Sequence, residues 1–226
     1  MDEEKIEKKR MLHSLLVPGL FVGLLWVIKI AEVVLEKDFS TGGVFPMEAK
    51  GLAGIFLGPL IHGDFGHLAA NSIPLIVLGT GIFYFYNPIA IRVFLFIYLT
   101  SGMMLWLGGR EGYHIGASGL IYGFAAFLTL SGIIRKNIRL MAISLLVIFL
   151  YGGLVWGLLP IDPNVSWEGH LFGGIAGAVV AFLYKDRGPR RKRYQWEIEE
   201  EMEETGMDYY DWLIHDHFRD KNRKKE

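Results

Sequence analysis

The chain has 226 residues, 52% of them apolar, with a mean hydropathy of +0.32 and a net charge of -1. Its apolar residues sit in long blocks between short clusters of charge, Gly and Pro, which excludes an ordinary soluble domain and marks a bilayer protein. The absence of cysteine excludes disulfides, thiolate zinc sites and a cysteine nucleophile together.

Charge is segregated towards the ends: between Pro59 and Ile134 only Asp64, Arg92, Arg110 and Glu111 are charged. The blocks predict an all-α polytopic bundle of six transmembrane helices, at about 11–35, 66–86, 89–107, 118–134, 140–159 and 168–184. A helix rises about 1.5 Å per residue, so about 20 residues cross a hydrocarbon core of about 30 Å. Residues 1–10 form a short charged segment. The block that follows is too long for a cleaved signal, and no A-x-A-like site follows it, so it reads as a retained span. The connection 36–65 is long, and Gly51 to Ile61 within it is apolar but too short to span, which predicts a re-entrant or interfacial segment. The fourth span has only 17 residues. It reaches about 25 Å, so its first residue is expected beneath the membrane surface. After the sixth span comes a charged tail, 185–226, in which an acidic stretch, Glu197 to Glu204, precedes an aromatic one, Tyr209 to Phe218.

Basic residues orient the bundle. One side collects Lys5, Lys8, Lys9, Arg10, Arg92, Arg135, Lys136, Arg139, Lys185, Arg187, Arg190, Arg191, Lys192 and Arg193. The other holds Lys37, Lys50 and Arg110, with Lys29 expected to snorkel towards it. Both termini are therefore expected in the cytoplasm, with the 36–65 connection outside, and the cluster 185–193 suits anionic lipid.

Ionisable and polar groups inside spans are functional hypotheses, because hydrocarbon cannot solvate them. Four stand out near the outer ends of even-numbered spans, at one expected depth: His67, Asn71, Ser118 and His170. Ser118 lies in Gly116-Ala117-Ser118-Gly119 at the start of a helix whose free N–H groups favour a developing oxyanion. On its own this segment reads more readily as small-residue packing than as a nucleophile. His170 opens the sixth span beside Gly169, Gly173 and Gly177, a bare ridge on which another helix can pack. A neutral histidine there can serve as general base, or it can simply cap the helix. His67 and Asn71, four apart, share a face and can donate hydrogen bonds to a tetrahedral intermediate, or make an interhelical contact. Tyr122, one turn below Ser118, can support the His170 ring or merely pack. His62 is expected at the interface and His114 in the outer loop. A metal site on His62, His67, His114 and His170 is conceivable, but no H-E-x-x-H is present. Asp162 and Glu168, read as outer-loop residues, leave a third triad member open.

Taken together, these residues resemble the rhomboid family of intramembrane serine proteases over most of 11–184. His62-x4-His67-x3-Asn71 is similar to the family's H-x-x-x-N region on the second span. Gly116-Ala117-Ser118-Gly119 with Tyr122 is similar to its G-x-S-G segment on the fourth. His170-x2-Gly173-x3-Gly177 is similar to its H-x-x-G-x-x-x-G segment on the sixth. The resemblance implies a rhomboid-like protease domain at 11–184 with Ser118 as nucleophile and His170 as base, a dyad without an acidic partner. It implies an oxyanion hole from His67, Asn71 and the Ser118 backbone, with Gly116, Gly119, Tyr122, Gly173 and Gly177 in support. Hydrolysis would pass through an acyl-enzyme. The partners implied are transmembrane protein substrates and the lipid bilayer, with no nucleic acid, cofactor or metal, in a bacterial inner membrane. The rival within the family is a catalytically inactive binder of membrane helices. The chain departs from many bacterial members in lacking a Trp-Arg pair between Ala49 and Ile61.

Overall fold

The structure, a computed structural model, describes residues 3–150, 157–161, 165–188 and 195–215. It divides into two units, Met1–Arg190 and Arg191–Glu226. In the first unit run α1 (Glu3–Val34), α2 (Gly54–Leu57), α3 (Phe65–Phe85), α4 (Ala90–Gly108), α5 (Ser118–Ile134), α6 (Ile138–Leu150) and α7 (Trp167–Leu183). The described part of the second unit is α8 (Gln195–Thr205) and a helical turn at 209–215. They are joined by the Trp212 indole donating to Glu201 Oε2 at 2.6 Å.

The spans expected at 66–86, 89–107, 118–134 and 168–184 are α3, α4, α5 and α7. The first helix starts at Glu3 rather than near Met11. Its leading turns are tied down where the Arg10 guanidinium lies over the Tyr84 ring and donates to the Tyr84 carbonyl at 3.0 Å. The fifth span ends earlier than 159, because 157–160 is a turn and Pro160 cannot continue a helix. Residues 151–156, Asp162, Arg190 to Arg193 and Phe218 lie outside the described residues.

Helix α5, among the shortest, is also the central one, touching α3, α4, α6 and α7. Its Leu120, Ile121, Phe124, Phe127 and Leu128 are buried against Leu75, Leu78 and Ile82 of α3 and Ile97 of α4. The outward faces of the surrounding helices expose large apolar residues, among them Leu20, Val27, Leu95, Phe149 and Phe182. Such a surface is stable in hydrocarbon and not in water.

The contact between α5 and α7 is made by glycines. A Cβ on Gly173 would stand 2.1 Å from the Gly119 carbonyl oxygen, and one on Gly177 only 2.0 Å from that of Gly123. The two backbones therefore lie directly against one another, as small-x-x-x-small ridges allow. Lipid tails offer no hydrophobic drive for helix association, so this close dispersion contact carries the pairing.

The 36–64 connection is helical but not a straight re-entrant rod. Two 3-10 turns, Ala49–Gly51 and Gly58–Leu60, flank α2. The segment packs sideways on α4, with Ile55 against Gly102 and the Tyr98 hydroxyl donating to the Phe56 carbonyl. Leu52, Phe56 and Leu57 face outward. Lys29 does not snorkel. It is 8% exposed, pairs with Glu32 at 2.6 Å and donates to the Gly63 carbonyl at 2.8 Å, while Glu32 accepts from the Phe39 N–H at 3.0 Å. A buried cation without an anion would be costly, and Glu32 one turn away removes the need to reach water. Both ends of the connection are thereby tied to α1.

Gly173→Ala should therefore lower the thermal midpoint in detergent, at a cost of about 1–3 kcal/mol, because its methyl meets backbone that cannot yield. The neighbouring Gly174→Ala, with nothing within 4 Å of its new methyl, should leave the midpoint unchanged.

Candidate active site

Ser118 is the first residue of α5 and His170 the fourth of α7, so the glycine contact sets them side by side. Ser118 Oγ lies 2.8 Å from His170 Nε2. On its other side, His170 Nδ1 lies 2.7 Å from the Gly157 carbonyl oxygen. That oxygen can only accept, so Nδ1 carries the proton and donates. Nε2 is then left with a lone pair to accept the Ser118 hydroxyl proton, the tautomer a general base requires. The Tyr122 ring stacks beneath the imidazole, centroids 4.3 Å apart and planes 12° from parallel.

The backbone before Ser118 is held by the 36–64 connection. The Val44 and His114 backbones exchange hydrogen bonds of 2.9 and 2.8 Å, and the Gly116 N–H donates to the Gly58 carbonyl at 2.9 Å. The Ala117 N–H donates to His62 Nε2 at 3.3 Å. Gly116 has φ +106°, and a Cβ there would stand 2.8 Å from His67 Cε1 and 3.9 Å from Asn71 Nδ2. Glycine is thus required twice, for the left-handed backbone and for the room. The Asn71 amide nitrogen is buried without a hydrogen-bond partner among the described residues. An orphaned buried donor is expensive unless a ligand uses it. The Ser118 N–H, at the first helical position, is likewise free of any intrahelical bond. Asp64 caps α3 by accepting from the His67 N–H at 2.8 Å, which fixes the turn that carries His67 and holds the Asp64 carboxyl below its ordinary range.

The structure therefore brings Ser118, His170 and Tyr122 into one cluster and sets His67 and Asn71 around Gly116, while Gly119, Gly173 and Gly177 form the helix contact beneath. Other expectations need correction. His62 is buried within the protein, 1% exposed and edge-on to His67 with centroids 5.1 Å apart. Glu168 is not a loop residue but lies in the first turn of α7. It faces Arg110, Nε to Oε1 3.6 Å, rather than His170. The position a triad acid would hold belongs to the Gly157 carbonyl. Among the described residues no group of His, Asp and Glu is placed to hold a metal ion. His114 turns instead to Ser166 and Arg110. Gly157 and Gly123 escaped sequence reasoning. Gly123 shows as the second member of a Gly119-x3-Gly123 ridge, whereas a lone Gly157 after an apolar block carries no signal.

A Rhomboid domain model matches residues 50–187, and 186 residues are 37% identical to an uncharacterized protein of Mycobacterium tuberculosis (strain H37Rv), over 76% of this chain and 75% of that protein. The chain belongs to the rhomboid family. An uncharacterized protein of Mycobacterium leprae is 35% identical over 76% of this chain and 71% of its own length. A Bacillus subtilis protein named "Putative rhomboid protease YdcA" is 27% identical over 71% of this chain and 81% of its own length. Like its family, this rhomboid is a multi-pass integral membrane protein, and the family's activity is proteolysis within the bilayer.

Burial pushes the His62 imidazole down to about 4, with the neighbouring His67 adding to the effect. A folded-state value below the unfolded one means that the unfolded chain binds the proton more readily. Stability from this group is complete above about pH 6.5 and is lost as pH falls towards about 4. In this rhomboid, His62→Gln should flatten the pH dependence of the unfolding midpoint in that window, as read by thermal scans at half-unit steps.

Proposed function

We propose that this rhomboid is an active serine endopeptidase that cuts peptide bonds in or near transmembrane segments of other proteins. Ser118 is the nucleophile and His170 the base. The observation that carries the reading is the 2.8 Å Ser118–His170 contact combined with the Gly157 carbonyl on Nδ1, which leaves Nε2 free to accept the proton.

Ser118 Oγ attacks the scissile carbonyl as its proton passes to His170 Nε2. The resulting imidazolium is stabilised through Nδ1 by the Gly157 carbonyl, where many serine hydrolases use a carboxylate. The oxyanion is received by the Ser118 N–H, the Asn71 amide and the His67 ring, donors fixed before substrate arrives. Proton return from His170 releases the amine and leaves the acyl-enzyme, which water hydrolyses with His170 again as base. Water has room beside the nucleophile, in a cavity lined by Ser101, Gly102, Leu105, Gly116, Gly119 and Gly169. A substrate helix must unwind to present a carbonyl there, since its own helical hydrogen bonds would otherwise occupy it. The protease domain is 11–184, flanked by cytoplasmic segments 1–10 and 185–226. The basic asymmetry of its connections supports both termini inside, in a bacterial inner membrane.

Cleavage of a transmembrane substrate by protein reconstituted in liposomes tests the reading. Ser118→Ala and His170→Ala should each fall by at least about 10³-fold, and Asn71→Ala by about 10²-fold, with thermal midpoints retained. A fluorophosphonate should label wild type at Ser118 and leave Ser118→Ala unlabelled. Cleavage persisting in Ser118→Ala would overturn it.

A further inference from the structure

Four residues upstream of the Ser118–His170 contact lies a second one of the same sequence separation. His114 Nδ1 is 2.6 Å from Ser166 Oγ, and His114 Nε2 is 2.9 Å from the Arg110 carbonyl oxygen. We infer that His114 and Ser166 are a positioning pair that sets the serine-to-histidine distance, locking the loop before Ser118 to the first turn of α7. The inference rests on the reading of Ser118 and His170 as nucleophile and base.

The bond directions follow from the partners. The Arg110 carbonyl only accepts, so His114 Nε2 carries the proton, and Nδ1 must then accept from the Ser166 hydroxyl. Ser166 is the N-cap of α7, and its oxygen accepts in turn from the Gly169 N–H at 3.3 Å. A single directed chain therefore runs from the helix carrying His170, through Ser166, to the loop carrying Ser118. His114 is 6% exposed, its backbone paired in both directions with Val44, so its ring cannot swing to other partners. Arg110 reinforces the link from the other side, donating to the Val165 carbonyl at 2.8 Å and facing Glu168.

The pair is needed because the glycine interlock acts only below the site, and the bonds from Val44, Gly58 and His62 tie the loop to the 36–64 connection rather than to α7. Gly119 and Gly173 fix the helices from their first full turn inward, while Ser118 opens α5 directly after a loop with left-handed glycines at 112 and 116. A loop that shifts relative to α7 carries the hydroxyl away from His170. An ångström of misplacement between reacting groups costs rate rather than binding, so the pair acts on the chemical step.

The test uses the full chain in detergent. The rate of fluorophosphonate labelling at Ser118 is measured per folded molecule, alongside kcat and KM for a transmembrane substrate. His114→Ala and Ser166→Ala should each slow labelling and kcat about tenfold, with KM changed less than about twofold. The double variant should be no slower than the slower single one, because both remove the same link. Ser166→Thr, which keeps the hydroxyl, should recover to within about threefold of wild type. If an alanine variant does not fold, the nearly isosteric His114→Phe carries the same expectation. Labelling of these variants at the wild-type rate, or a double variant slowed by the product of the two singles, would overturn the inference while leaving the protease reading intact. A wild type that neither labels nor cleaves would overturn both.

Discussion

The arrangement depends on the closeness of α5 and α7. Two helices whose glycine Cα atoms meet the opposite carbonyls cannot slide or rotate without collision, and no side chain stands between them to adapt. That contact converts two residues 52 positions apart into neighbours at 2.8 Å. A methyl group at Gly173 or Gly177 would meet the opposite carbonyl and open the gap by more than a hydrogen bond tolerates.

Around this interlock the chain solves a second problem, that of keeping non-helical backbone and polar groups inside a bilayer protein. Each exposed N–H or carbonyl would be costly in hydrocarbon. The 36–64 connection answers it by pairing with the loop before Ser118 at Val44, Gly58 and His62. It is itself tied to α1 through Lys29 and Glu32. The long connection is thus a scaffold for the nucleophile loop. In the proposed mechanism the Asn71 amide nitrogen, buried without a partner among the described residues, is a donor that a developing oxyanion would use, and a preorganised dipole of this kind needs no rearrangement as charge appears.

Much of this was legible in the sequence, for physical reasons. The apolar blocks had to be spans because nothing else accommodates them, and the 17-residue block opening at Ser118 is the helix α5. The ridge at Gly169, Gly173 and Gly177 showed where a helix could approach, and the polar residues beside it showed what the approach would bring together. Contacts made by backbone were not legible. The Gly157 carbonyl on His170 and the Ala117 N–H on His62 depend on main-chain groups that every residue carries. Lys29 and Glu32, one turn apart, could have been read as a pair, yet their partners at Gly63 and Phe39 could not. Glu168 was read as an outer-loop residue although it opens the expected span 168–184; it is the second residue of α7, and its partner Arg110, 58 positions upstream, carries no sequence signal.

The proposed dyad places an acylable hydroxyl and a nucleophilic ring nitrogen within one small reagent's reach. A mechanism-based isocoumarin, which acylates a serine and then alkylates an adjacent histidine, measures that juxtaposition chemically. Peptide mapping of the labelled rhomboid should find the Ser118 peptide joined to the His170 peptide through one reagent. Absence of any adduct, or joining of Ser118 to a different residue, would contradict the account.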